Sequence, residues 1–186
     1  MILLIDMDNV LCGLQEYAID VYNSKYGTNY AIDDFREYDI ASVLDFEGSS
    51  NMRDIYADPE IYNHIAPLKG SVNGVQKLVN SGHQVYIVTD AVPSTFESKV
   101  QWLKRYFPFI NDGHIVSMKH KWLFKCDVMI EDNMENLISG HHYERVCIDY
   151  PWNNKMHDEV YGIYRCYSWN DVVSAVNKIN GELGSV

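Results

Sequence analysis

Acidic and hydroxyl side chains stand at the ends of several apolar runs in this 186-residue chain. "LLIDMDNV" closes on Asp6 and Asp8, "VYIVTD" on Thr89 and Asp90, and "DVMIEDN" on Glu131 and Asp132, with Lys121 a little upstream. Residues two apart in an extended segment share a face, so Asp6 and Asp8 can address one site. Burying unpaired carboxylates is costly, and the pair therefore calls for a counter-charge. Two acids joined by a third from another strand form the oxygen ligand set of a hard cation, Mg²⁺. A lysine and a hydroxyl beside such a cation would hold the oxygens of a phosphate. Taken singly, each feature has a plainer reading. Asp6 and Asp8 could form an Asx turn, Thr89–Asp90 a strand-end turn, and Glu131–Asn133 the cap of a helix beginning "MENLI". Capping and ligation use different atoms, so the two readings are compatible.

The elements that must carry these residues follow from periodicity. Ile2–Ile5, Val85–Thr89, His114–Met118, Val128–Ile130 and Val146–Ile148 are short and apolar, many of them β-branched, and continuous rather than alternating. Such runs fit a parallel sheet covered on both faces. Helical patterns lie between them: Val72, Val75, Leu78 and Val79 before Gly82; Phe96, Val100, Leu103 and Phe107 before Pro108; and Val172, Val173, Val176 and Ile179 after a cap at Ser168 or Asn170. Alternation of strand and helix predicts an α/β fold, a doubly wound (Rossmann-like) parallel sheet, whose ligands bind at the carboxyl ends of the strands. The first two strands are separated by roughly 75 residues, far more than one crossover helix needs. The excess, 14–69, opens with a helical pattern (Leu14, Tyr17, Ala18, Val21, ending at Gly27) and is rich in aromatics, among them Tyr30, Phe35, Tyr38, Phe46, Tyr56 and Tyr62. It is expected to form a small, mainly helical cap over a core made of 1–13 and 70–186.

Composition narrows the partners. At 47% hydrophobic residues the chain can bury a proper core. A formal net charge of −11 disfavours extended nucleic acid and anionic membranes, while a small anion could still be collected by local cations or a metal. The four cysteines form no C-x-x-C pair and read as buried free thiols, which suits a reducing cytoplasm. The N-terminal apolar run is too short for a signal peptide, and no stretch reaches the roughly 20 apolar residues of a membrane span. His141–His142 lacks zinc-ligand spacing and is expected in an exposed loop. "PWNNK", Pro151–Lys155, reads as a surface loop, and "GELGSV" as a frayed tail.

Four ordered segments carry a family resemblance. "DMDNV" resembles motif I of the haloacid-dehalogenase-like phosphatases, "VYIVTD" motif II, and Lys121 with "DVMIEDN" motifs III and IV. They span Asp6 to Asp132, about two thirds of the chain. The insertion after motif I is similar to the first type of cap in that superfamily. The 5'(3')-deoxyribonucleotidases, including bacterial and phage members, are a closer match. They share the proline-glycine turn before the helix that leads to motif II, a "KVQWLKRYFPFI"-like stretch, and the ending seen here as "KWLFKCDVMIED".

This resemblance implies a role for each matching residue. Asp6 is the implied nucleophile, forming an aspartyl-phosphate intermediate. Asp8 is the implied acid and then base, with its backbone carbonyl as the metal contact. Asp6, Asp8 and Asp132 are the implied Mg²⁺ contacts. Thr89 donates its hydroxyl to the phosphate, with backbone N–H groups after Asn9 and Asp90 assisting. Lys121, chosen over Lys119 and Lys125 because the family's lysine lies eleven residues before the second motif IV acid, neutralises charge on Asp6 and phosphate. The same alignment prefers Asp132 to Glu131. The loop "PWNNK" falls where the family has one near the active-site rim, which makes Trp152 a candidate ligand contact. One or two of Tyr17, Phe46, Arg53 and Tyr56 are expected near the substrate.

Three departures stand out. Asn9 replaces a glycine but tolerates positive φ. Asp90 stands where small or hydroxyl residues are common, and could either repel phosphate or face away and hold the loop. Leu14 stands where some members place an aromatic beside the base, so base preference does not carry over. The implied activity is a cytoplasmic, Mg²⁺-dependent phosphomonoesterase acting on nucleoside monophosphates, deoxyribonucleotides foremost. The alternatives are a phosphatase for a sugar phosphate or other small metabolite, and a non-catalytic phosphate-binding module. Retention of Asp6, Asp8, Lys121 and Asp132 argues against the last.

Overall fold

The computed structural model describes residues 1–154 and 158–184. Lys155, the end of the Pro151–Lys155 loop, and Ser185–Val186 of the tail lie outside the described residues. In chain order the elements are β1 (Ile2–Ile5), α1 (Leu14–Tyr26), α2 (Phe46–Ala57), α3 (Ile61–His64), α4 (Ser71–Asn80), β2 (Gln84–Thr89), α5 (Pro93–Tyr106), β3 (Ile115–Ser117), β4 (Val128–Glu131), α6 (Met134–Ser139), β5 (Glu144–Ile148), α7 (Asp158–Tyr161), β6 (Ile163–Cys166) and α8 (Trp169–Leu183). Short 3₁₀ turns at Ile40–Val43 and Lys121–Leu123 matter for the site.

The six strands pair in the order β3-β2-β1-β4-β5-β6, all parallel, as the continuous apolar runs predict. The chain first builds outward from β1 to β2 and β3, then crosses back to lay β4, β5 and β6 on the other side. The order therefore reverses between β1 and β4, the place where a doubly wound sheet opens a crevice at its carboxyl edge. Register brings the chemistry together there. Ile5 is level with Ile87 of β2 and Ile130 of β4, so the next residues along, Asp6 and Glu131, are neighbours. The Asp6 N–H donates to Ile130 O (3.0 Å), extending the ladder by one bond.

β6 is a strand that the apolar runs do not announce. Its four residues, "IYRC", include Arg165, whose guanidinium leaves the sheet edge to pair with Asp149 and Asp158. Helix faces also differ from the simplest apolar stripe. In α5 the buried residues are Thr95, Lys99, Trp102 and Leu103, while Phe96 and Val100 are only half-buried. In α1 they are Gln15, Ala18, Ile19 and Tyr22, with Leu14, Tyr17 and Val21 half-buried. The faces are turned because each helix presents a polar residue to the crevice instead of to solvent. The Trp102 indole fixes the rotation of α5 by donating to Ile65 O (2.8 Å).

Trp169 performs the same service for the first loop, donating to Val10 O (2.9 Å) from α8. Its ring lies against Gly74 so closely that a Cβ there would sit 2.4 Å from Trp169 Cε3, which is why α4 needs glycine at that point. Gly27 closes α1 in the left-handed region (φ 68°) and Ser168 caps α8 by accepting from Asp171 N. All four cysteines are buried and free, and no described helix is long and apolar enough to cross a membrane.

Candidate active site

Motif I leaves β1 through a tight turn. Asn9 has φ 57°, a conformation that asparagine tolerates better than other non-glycine residues. Its amide donates to Cys12 O (2.6 Å), and those of Val10 and Leu11 donate to Met7 O (3.3 and 2.8 Å). These contacts close the turn on itself. Asn9 serves the site through its carboxamide. Nδ2 donates to Asp132 Oδ2 (3.1 Å), and Oδ1 accepts from Gln15 N (3.0 Å).

Asp6, Glu131 and Asp132 form a buried cluster whose carboxylate oxygens lie within 4.8 Å of one another. Among the described residues the ammonium set against them is that of Lys121, 2.5 Å from Asp6 Oδ1 and 2.8 Å from Glu131 Oε2. Lys119 and Lys125 are exposed. Burial pushes the Asp6 carboxyl well above the ordinary carboxylate range, and the Glu131 charge adds to it, against the opposing pull of Lys121. Burial, with Asp6 next, pushes Asp132 up to about 7. Burial alone would lower Lys121, but Asp6 and Glu131 outweigh it and hold the ammonium above its ordinary value.

Three carboxylates against one ammonium leave the cluster two negative charges in excess when all are ionised. Glu131 is already engaged, accepting from Lys121 and from Asn133 N (3.2 Å). Asp132 is not: its buried Oδ1 has no hydrogen-bond partner among the described residues. An orphaned carboxylate oxygen beside Asp6, in an all-oxygen set short of two positive charges, fits a hard divalent cation. Asp132 is held for that task by Asn153, a fully buried residue of the loop after β5. Asn153 Nδ2 donates to Asp132 O (2.9 Å) and Ile148 O (2.8 Å), and Arg165 Nη1 donates back to Asn153 Oδ1 (2.8 Å).

Asp8 turns away from this cluster. Its Oδ2 accepts from Lys99 Nζ (2.6 Å) and its Oδ1 from the Tyr62 hydroxyl (3.0 Å) of α3. Burial, followed by the Asp8 charge, raises the Tyr62 hydroxyl well above its ordinary value and keeps it a donor. Lys99, 2% exposed, also donates to Thr89 Oγ1 (2.7 Å) and to Asp90 O (2.9 Å). Asp90 contributes that carbonyl, while its residue is exposed at the rim.

Two cavities meet at Asp8, Tyr38, Asp39 and Asp90. One, of about 380 Å³, reaches Asp6 and Lys121; the other, of about 230 Å³, runs past Lys99 to Leu14, Gln15, Ile40, Tyr56 and Val92. Of the four residues expected near a substrate, Tyr56 lines the second cavity. Phe46 is 93% exposed, Arg53 pairs with Asp39 on the surface (3.2 Å), and Tyr17 lines a separate groove with His64. Trp152 stacks on Tyr150 (4.5 Å between centroids) and meets Tyr38 edge-on (6.5 Å). His141 and His142 are exposed.

Asp6, Asp8, Asn9, Thr89, Lys121 and Asp132 therefore converge at one sheet edge. The sequence alone assigns no role there to Lys99, Tyr62 and Asn153, nor to Asn136, whose Nδ2 donates to Glu131 Oε2 (3.4 Å) and whose Oδ1 accepts from Lys121 N (3.4 Å). For Lys99 the available signal was its place four residues after Thr95 and three before Trp102, which marks a buried face.

A family model described as 5' nucleotidase, deoxy (pyrimidine), cytosolic type C protein matches residues 1–180. Over 142 residues the chain is 29% identical to a 5'(3')-deoxyribonucleotidase of Bacillus subtilis (strain 168), covering 74% of this chain and 79% of that protein. The same identity and coverage hold for the 5'(3')-deoxyribonucleotidase of Bacillus phage SPbeta. Among solved structures, a haloacid dehalogenase-like protein of unknown function from Agrobacterium tumefaciens superposes with a TM-score of 0.66 at 12% identity, over 96% of this chain and 98% of the other. A HAD family hydrolase from Deinococcus radiodurans with bound phosphate and sodium gives 0.60 at 12% identity, over 96% of each chain. At such identities the structures speak for the fold alone.

Proposed function

The chain belongs to the family of cytosolic type C 5'-nucleotidases, deoxy (pyrimidine), and on that premise we propose that it hydrolyses deoxyribonucleoside monophosphates to nucleoside and phosphate by way of an aspartyl-phosphate on Asp6. The observation that carries this reading is the convergence of Asp6, Asp8, Thr89, Lys121 and Asp132 at the switch point, beside a cavity large enough for an organic group.

Asp6 and Asp132, with the Asp8 carbonyl, would hold a Mg²⁺ ion, which when bound neutralises the excess charge and polarises the phosphate oxygens. Lys121 holds the Asp6 carboxylate by one oxygen and orients it for attack. Lys99 is a positioning residue. By donating to Thr89 Oγ1 it occupies a lone pair, which leaves the hydroxyl proton free to be given to a phosphate oxygen. In the first step Asp6 forms a bond to phosphorus as the ester P–O bond breaks, and Asp8 delivers a proton to the departing alcohol oxygen. In the second, the Asp8 carboxylate takes a proton from water, the water oxygen bonds to phosphorus, and the bond to Asp6 breaks. Lys99 and Tyr62 fix the Asp8 side chain between these transfers. The inserted segment 14–69 acts as the cap, since Tyr62 brings its hydroxyl to Asp8 from there.

The test is phosphate release from dUMP, dTMP and dCMP against 2-deoxyribose 5-phosphate and p-nitrophenyl phosphate, with Mg²⁺ and with chelator. Higher kcat/KM for the nucleotides, lost on chelation, is the expected result. Equal turnover of all esters would point to a sugar-phosphate or general phosphatase, and no turnover would overturn the enzymatic reading.

A further inference from the structure

Two polar groups lining the cavity beyond Lys99 have no hydrogen-bond partner among the described residues. Gln15 is 6% exposed, and its buried carboxamide oxygen, Oε1, has no hydrogen-bond partner among the described residues. The Tyr56 hydroxyl is likewise buried without a partner. The two reach the same cavity from different elements, Gln15 from the first turn of α1 and Tyr56 from α2. Leu14, Ile40, Val92 and Tyr38 give the cavity an apolar and aromatic wall, and Asp39, Asp90 and Thr95 line it too. A buried amide or hydroxyl without a partner costs free energy that a neighbouring apolar side chain would not, so such a group is stabilised when a ligand supplies the missing bond.

We propose that Gln15 and Tyr56 read the polar edge of the substrate's pyrimidine base and set the preference of the site for a nucleotide over a plain sugar phosphate. This rests on the nucleotidase reading above and assigns the residues that would select the base. A carboxamide presents a donor and an acceptor side by side, which matches the adjacent N–H and C=O of a pyrimidine imide, and a turn of its last torsion matches the reversed order of cytosine. The Tyr56 hydroxyl supplies a third bond of either sense. The aromatic and branched walls suit the flat faces of the ring. The sugar and phosphate then extend past Asp8 towards Lys121, through the rim the two cavities share.

The test compares wild type with Gln15→Leu and Tyr56→Phe, taking the ratio of kcat/KM for dUMP to that for 2-deoxyribose 5-phosphate. Melting temperatures are measured in parallel. The ratio should fall about ten- to a hundredfold in Gln15→Leu and about five- to tenfold in Tyr56→Phe. An unchanged ratio in both variants overturns the proposal, as does an equal loss on both substrates, which would make the groups structural or readers of the sugar. Should Gln15→Leu not fold, Gln15→Met and the independent Tyr56→Phe give the same ratio. A wild type that shows no preference for dUMP overturns the base-reading role and the nucleotidase reading together. A wild type that prefers dUMP, with variants that keep the ratio, overturns only the role of these two residues.

Discussion

Replacing Lys99 with methionine removes the cation that, among the described residues, touches both Asp8 and Thr89, while keeping most of the volume. Three contacts are lost, at 2.6 Å to Asp8 Oδ2, 2.7 Å to Thr89 Oγ1 and 2.9 Å to Asp90 O. A hydrogen bond from a charged donor contributes about 1.5–3 kcal/mol. The Asp8 side chain is 15% exposed and keeps the Tyr62 hydroxyl, so water and that bond offset part of the loss. A net cost of about 2–4 kcal/mol to the transition state follows, or roughly 30- to 1000-fold in kcat/KM. Most of it should fall on kcat, because Asp8 and Thr89 act on the reacting group. Lys99→Arg keeps the charge without the compact three-way geometry and should recover only part of the rate. Steady-state kinetics with dUMP, run well below the melting temperature of each variant, measures the effect. Activity of Lys99→Met within threefold of wild type would refute the positioning role.

Asp6→Asn removes the proposed nucleophile and should lower kcat about a thousandfold or more; a loss below tenfold in the folded variant sinks the covalent mechanism. Mg²⁺ at a hundred times its Kd should stabilise the metal-stripped protein by about 2.7 kcal/mol, raising Tm by about 5–11 °C, and a shift under 2 °C would contradict the assigned ligand set. The gain should also depend on pH. Burial holds Asp132 at about 7, and Asp6 well above its ordinary value, so the folded metal-free protein binds protons that the unfolded chain has lost. Its stability from these groups therefore falls as pH rises from about 4 to about 7. Mg²⁺ needs the ionised acids, so the Tm difference between Mg²⁺ and chelator should widen over that range; a narrowing would contradict the sign. Gly74→Ala drives a Cβ to 2.4 Å from Trp169 Cε3. It should cost about 1–3 kcal/mol, or about 2–12 °C in Tm, and an unchanged Tm would show that the contact is not tight.

What the sequence by itself determined is the part that rests on local pattern. Continuous apolar runs with interposed helical patterns require a parallel, doubly wound sheet, and strand tips ending in Asp6, Asp8, Thr89, Glu131 and Asp132 place the chemistry at one edge. Asn9 was legible as a positive-φ turn because few other side chains tolerate one. The tertiary structure decided what depends on helix rotation and on long-range neighbours. Rotation of α5 brings Lys99, ninety-one residues from Asp8 in sequence, to within 2.6 Å of it, although the apolar stripe of that helix points elsewhere. Tyr62 reaches the same carboxylate from the inserted segment, and Asn153 reaches Asp132 from a loop that reads as plain surface. β6 was hidden because Arg165 interrupts its apolar pattern, yet that arginine anchors Asn153. Each of these groups is polar and wholly or partly buried, and a polar group out of water is fixed by its partner. Its position follows from where the partner folds, which no window of neighbouring residues contains.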